Sequence, residues 1–243
     1  MKIYLLLLIA VLCFTEKEKG FLSRYWDCCK PSCSWPKNTE GHLARHCDAG
    51  MNTLSDPDAE SICDNGISTT CLDQIPIVVN DNLAYAFAAV PEKDPCGKCY
   101  ELTFNGKGKY EDALNHKKLV GKKLIVIGTN IGYQVSGGQF EILIPGGGVG
   151  LVSNCDKILG NNLGKRYGGF LSDCEEEVGY NLDGDTKYEK RKSCLTSKCN
   201  ASFTGISQAL EGCLFLANWL EAAGNPSLEY EEVECPQELL SKY

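Results

Sequence analysis

Apolar residues in this chain fall into short runs separated by glycine, proline, asparagine and charged residues. The first run, Leu5 to Phe14, follows Lys2 and gives way at once to the polar stretch Thr15–Gly20. A basic residue ahead of a short apolar run has the pattern of a secretory leader. The run is shorter than the ~20 residues needed to cross a bilayer. Cleavage is expected between Cys13 and Gly20, which leaves a leader over residues 1–20 and one domain over residues 21–243.

Further along, Asn80-Asp81 has the form of a helix cap, and the spacing predicts a helix through Leu83, Tyr85, Phe87 and Ala89, stopped by Pro91. Strands are predicted at residues 99–104, 123–128 and 139–144, each bounded by Gly, Pro or Asn, and a last one at residues 228–233. A second short helix is predicted over residues 214–223, ended by Gly224-Asn225-Pro226. Many short strands and few helices predict a mainly β fold, a small β-barrel with disulfide-tied loops. Residues 28–71 carry six cysteines and little periodicity, so they read as bridged loops. The polar stretch after Cys174 reads as a surface insertion that Cys194 and Cys199 staple locally. Within it, Asn200-Ala201-Ser202 is a glycosylation sequon.

The chain has 15 cysteines, of which Cys13 lies in the leader, and the remaining 14 read as a secreted disulfide framework. Cys96-Gly97-Lys98-Cys99 has metal-ligand spacing, but no second pair stands at zinc-site distance, so no metal or other cofactor is expected. His42 and His46 read as surface residues. The net charge is −8, and residues 21–243 carry −9. Such a chain is a poor partner for nucleic acid or an anionic membrane, whereas a neutral polysaccharide raises no electrostatic objection.

Two carboxylates have unusual surroundings. Asp27 follows Tyr25-Trp26 and precedes Cys28, Cys29 and Cys33, so an acid stands beside aromatic rings on a bridged backbone. Aromatic faces suit the apolar faces of sugar rings. Glu141 interrupts the apolar strand Phe140-Glu141-Ile142-Leu143-Ile144, on the face shared with Gln139 and Leu143. Partial burial there raises its pKa, as a general acid requires. The following Pro145-Gly146-Gly147-Gly148-Val149-Gly150 lacks the Lys-Ser/Thr ending of a phosphate loop and reads as a close-approach turn.

At these residues the chain resembles glycoside hydrolase family 45, the small endo-β-1,4-glucanases. The likeness is carried by Arg24-Tyr25-Trp26-Asp27-Cys28-Cys29-Lys30-Pro31-Ser32-Cys33, and it continues through Ile144–Gly150, Arg166-Tyr167-Gly168-Gly169 and Val233-Glu234-Cys235-Pro236. The resemblance implies a six-stranded double-psi β-barrel with an open groove for a β-1,4-glucan chain. It also implies inverting hydrolysis of internal bonds, with Asp27 as base and Glu141 as acid. Tyr25 and Trp35 match aromatic groove positions. Two departures stand on the acid side: Glu141 is one methylene longer than the family's aspartate, and Gln134 replaces an aspartate seven residues before it. The framework implies Cys28–Cys155, Cys29–Cys63, Cys33–Cys96, Cys47–Cys71, Cys99–Cys235 and Cys174–Cys213, which leaves Cys194–Cys199.

The resulting expectation is a secreted, monomeric endo-β-1,4-glucanase acting on cellulose or another β-1,4-linked wall polysaccharide. The alternative is a glucan-binding protein that keeps the groove without turnover, and the presence of Asp27 favours the enzyme.

Overall fold

Alternation along the short strands builds one continuous sheet. The computed structural model describes residues 17–110, 113–132, 137–180, 182 and 184–243. Among them the strands are β1 (Glu18–Tyr25), β2 (Ile77–Asn80), β3 (Leu83–Val90), β4 (Cys99–Gly108), β5 (Lys123–Ile131), β6 (Gln139–Leu143) and β7 (Pro226–Val233). They pair in the order β2-β3-β5-β4-β7-β1-β6, and β6 pairs back onto β3. Six strands therefore form a closed ring, with β2 added outside β3. Within the ring β3–β5 and β1–β6 are parallel, and the other pairs are antiparallel. Closure removes the unpaired edges that an open sheet exposes. Phe87, Leu102, Leu124, Ile127, Phe140 and Ile142 are fully buried.

The helices are α1 (Leu114–Lys117), α2 (Gly169–Val178), α3 (Asp185–Phe203), α4 (Ser207–Asn218) and α5 (Gln237–Leu240). The four strands predicted from the pattern correspond to β4, β5, β6 and β7, the third overrunning β6 by Ile144. Residues 28–71 are loops and 3-10 turns, as their cysteine density implies.

The helix predicted through Leu83, Tyr85, Phe87 and Ala89 is instead strand β3. Its burial explains the error: Ala84, Ala86, Phe87, Ala88, Ala89 and Val90 are all buried, so the run lacks the alternation of a half-exposed strand. The supposed cap is a turn, in which Asn80 Oδ1 accepts from the N–H groups of Asn82 and Leu83 at 2.9 Å. The second predicted helix begins earlier, at Ser207, and ends at Asn218. Beyond it Glu221 and Ala222 have φ of 56° and 51°, which a continuing helix forbids.

Seven disulfides occur among the described residues, and five match the implied framework. The other two are Cys174–Cys194 and Cys199–Cys213, in place of Cys174–Cys213 and Cys194–Cys199. The polar insertion is helical, and five residues along a helix rotate a side chain by about 140° net, so neighbouring cysteines diverge. Cys194 meets α2 and Cys199 meets α4. His46 is buried rather than on the surface, with Nδ1 2.7 Å from Ser68 Oγ. Residues 18–20, expected in the leader, pair with β7 through Glu18↔Tyr230, Lys19↔Glu229 and Gly20↔Leu228. The folded domain thus includes Glu18, and the apolar run at residues 5–14 lies outside the described residues.

Candidate active site

A cleft of about 590 Å³ opens where β1, β6 and the end of β5 meet the glycine-rich loop after β6. Asp27, Tyr25 and Glu141 all line it. Strand pairing brings them together: β1 runs parallel to β6, with Ser23 opposite Glu141 and Tyr25 opposite Leu143. Because side chains alternate, Phe140 points inward against Tyr230, with centroids 4.8 Å apart, and Glu141 points into the cleft. On the other side Glu141 faces Ala89 of β3, whose small side chain leaves the space open.

Asp27 follows β1, where the backbone is held from both sides. Trp26 donates its N–H to the Gly148 carbonyl at 2.7 Å, and Cys28 takes φ of 62°. A left-handed conformation is unfavourable for a residue with a Cβ, and here the Cys28–Cys155 bridge and the surrounding packing hold it. The turn directs the Cys29 N–H onto Asp27 Oδ1 at 2.9 Å. Burial raises the Asp27 carboxyl to about 6, opposed by that N–H and reinforced by the charge of Glu141. One edge of Asp27 still faces the cleft.

Glu141 is also raised, chiefly by burial, against hydrogen bonds from Ser23 and Gln139 that favour its ionised form. Tyr25 is electrostatically coupled to both acids. Its phenol is pushed well above its ordinary value by burial and by the charges of Asp27 and Glu141, so it stays neutral. Asn130 Nδ2 donates to its oxygen at 2.6 Å. The tyrosine proton is left to point elsewhere.

The glycine-rich loop is a close-approach turn. Gly148 has φ of 107°, and a Cβ there would stand 2.8 Å from both the Arg166 carbonyl and the Gly168 nitrogen. Arg24, buried in the cleft wall, donates Nε and Nη2 to the Gly168 carbonyl at 3.3 and 3.1 Å. Leu151, Val152 and Tyr167 stand on the rim, each more than half exposed. Carboxylates inside an apolar rim can bind the faces and hydroxyls of a sugar chain together.

Among the described residues no group of three His, Cys, Asp or Glu is arranged to hold a metal ion. None of their helices is long and apolar enough to cross a membrane.

The model of glycosyl hydrolase family 45 matches residues 19–188. The chain belongs to this family. It is 44% identical over 231 residues to endoglucanase B of Cellvibrio japonicus (strain Ueda107), covering 92% of this chain and 44% of that protein. It is 34% identical to an endoglucanase of Cryptopygus antarcticus, covering 100% of this chain and 96% of that one. The chain therefore spans less than half of the bacterial relative and nearly all of the springtail one. The crystal structure of a cellulase from the Antarctic springtail Cryptopygus antarcticus superposes with a TM-score of 0.72 at 32% identity, covering 94% of this chain and 96% of that one.

Not every family 45 position read from the sequence falls in this cleft. Trp35 lies outside it, between two 3-10 turns, with Lys30 Nζ 3.4 Å from the ring centroid. That ammonium is fixed by the carbonyls of Pro57 and Ala59 at 2.6 and 3.0 Å. Gln134 lies outside the described residues. Sequence reading missed Ser23, Asn130 and Arg24. A signal for Arg24 was its place in the opening signature, whereas Ser23 and Asn130 stand out only through their partners.

Proposed function

We propose that this family 45 chain is a secreted endo-acting glycoside hydrolase that cleaves internal β-1,4-glucosidic bonds with inversion, Asp27 serving as base and Glu141 as acid. The observation that carries the reading is the single cleft in which both carboxylates, each raised by burial, lie within electrostatic range of Tyr25 and of each other. Asp27 takes a proton from water as that water attacks the anomeric carbon. Glu141 gives its proton to the departing glycosidic oxygen on the other face of the sugar. The two acids end with exchanged protonation states, which solvent resets. Tyr25, kept neutral and accepting from Asn130, retains its hydroxyl hydrogen for a bond to the bound sugar. A glucan chain is uncharged, in keeping with an acidic protein, and the exposed Leu151, Val152 and Tyr167 suit its apolar faces. Closure of six strands with two parallel pairs supports the double-psi barrel. The seven bridges support an oxidising, extracellular setting.

The test is release of reducing ends from soluble β-1,4-glucan and xyloglucan by wild type, Asp27→Ala and Glu141→Gln. Activity in wild type alone, with products of inverted anomeric configuration, is the expected result. Equal inertness of all three, with glucan binding retained, identifies a binding protein instead.

A further inference from the structure

Three polar side chains close a triangle across β1 and β6. Gln139 Nε2 donates to Ser23 Oγ at 3.0 Å and to Glu141 Oε1 at 3.1 Å, and Ser23 Oγ donates to the same Oε1 at 3.1 Å. The donor count closes: the amide supplies two protons and the hydroxyl one, while Ser23 Oγ accepts one and Oε1 accepts two. Ser23 has a longer alternative acceptor in the Phe140 carbonyl at 3.4 Å. Register makes the triangle possible, since Ser23 stands opposite Glu141 and Gln139 precedes it by two residues on the same face.

This arrangement makes the two oxygens of Glu141 unequal. A proton on Oε1 would force the Ser23 hydrogen onto its longer alternative, the Phe140 carbonyl at 3.4 Å, and would still face the donating Gln139 amide. Among the described residues Oε2 has no hydrogen bond. The hydrogen of the protonated carboxyl is therefore favoured on Oε2.

We propose that Ser23 and Gln139 are positioning residues for hydrolysis: by gripping Oε1 they hold the long Glu141 side chain against the strand and dedicate Oε2 to proton delivery. The proposal rests on Glu141 as the acid. It accounts for how a glutamate fills this position, because the extra methylene is accommodated by two anchors. Gln139 has no titration of its own, so the grip persists across the working pH range.

The experiment measures kcat, KM and pH profiles on a soluble β-1,4-glucan for Gln139→Ala, Ser23→Ala, Ser23→Thr and Glu141→Gln, with melting curves to establish folding. Either alanine variant is expected to lower kcat about tenfold or more with KM little changed, since loss of alignment is felt in the chemical step. Both removed bonds favour the ionised carboxylate, so the alkaline limb of kcat/KM should move to higher pH. A purely structural role would leave that limb in place. Ser23→Thr keeps the hydroxyl and should return kcat to within about threefold of wild type. If Glu141→Gln is inactive while a folded alanine variant keeps the wild-type kcat and alkaline limb, the positioning role is overturned and the acid assignment stands. If Glu141→Gln is as active as wild type, the acid assignment fails, and the positioning role with it.

Discussion

Cys29 donates its backbone N–H to Asp27 Oδ1 at 2.9 Å, and the same residue is bridged to Cys63. One acceptor oxygen of the proposed base is thereby tied to a covalently fixed turn. The rest of the carboxylate is enclosed by protein except for its edge toward the cleft, and its affinity for a proton rises.

A test of stability against function follows from that enclosure. The Asp27 carboxyl moves from 3.8 to about 6 on folding, so the folded chain holds the proton more tightly. The stabilising contribution is complete below the unfolded value and is lost as pH rises through 6. At neutral pH the ionised group disfavours folding by up to ~3 kcal/mol, an upper bound because one edge meets solvent. Asp27→Asn keeps the acceptor for Cys29 and removes the charge. Turnover should fall by about a hundredfold or more. Tm at pH 7 should rise by roughly 4–10 °C, with little change at pH 4. Wild-type kcat/KM should decline as pH falls through about 6, because the base is then protonated. Paired melting curves and a pH–rate profile check both sides.

Asn130 links the Tyr25 ring to the opening loop. Its Oδ1 accepts the Ser32 N–H and its Nδ2 donates to the tyrosine oxygen, both at 2.6 Å. Asn130→Ala removes the acceptor of a partly buried N–H and frees the ring. The expected cost is about 1–3 kcal/mol in denaturant unfolding, with about tenfold lower kcat/KM. Tyr25→Phe keeps the ring and its packing, so its stability loss should be smaller than that of Asn130→Ala.

Peptide mapping under non-reducing conditions should recover Cys174 with Cys194 and Cys199 with Cys213. Replacing Cys174 and Cys194 together by serine should lower stability by about 3 kcal/mol, as expected for a loop of 20 residues. The first turn of α2 also donates the Phe170 N–H to the Gly146 carbonyl at 2.9 Å, beneath the glycine-rich loop. Activity in this variant should therefore be lost at a lower temperature than in wild type. Residual activity after a temperature series measures it.

Strands β4, β5, β6 and β7 were legible because each meets solvent or the cleft on part of its length, and turn residues mark their ends. Strand β3 was not, since burial of both faces erases the alternation that distinguishes a strand. The pairing of Cys194 and Cys199 was equally hidden. A spacing of five fits a stapled loop or a helix with divergent faces, and only α2 and α4 on either side of α3 separate them.

Glu141 was readable as an acid on an apolar strand, and Asp27 as an acid among aromatics and cysteines. Local pattern suffices for this, because period-two alternation and the ring chemistry of neighbours are properties of adjacent residues. Their meeting in one cleft beside Tyr25 was implied by the family resemblance and not by any local pattern. It depends on β1 pairing in parallel with β6, a register between residues 118 positions apart that closure of the ring selects. The amino-acid order thus determined which side chains had the chemistry and which way each strand would turn them. The tertiary structure decided which of them share a proton's reach, because burial and hydrogen bonding between distant segments arise only once the ring is closed.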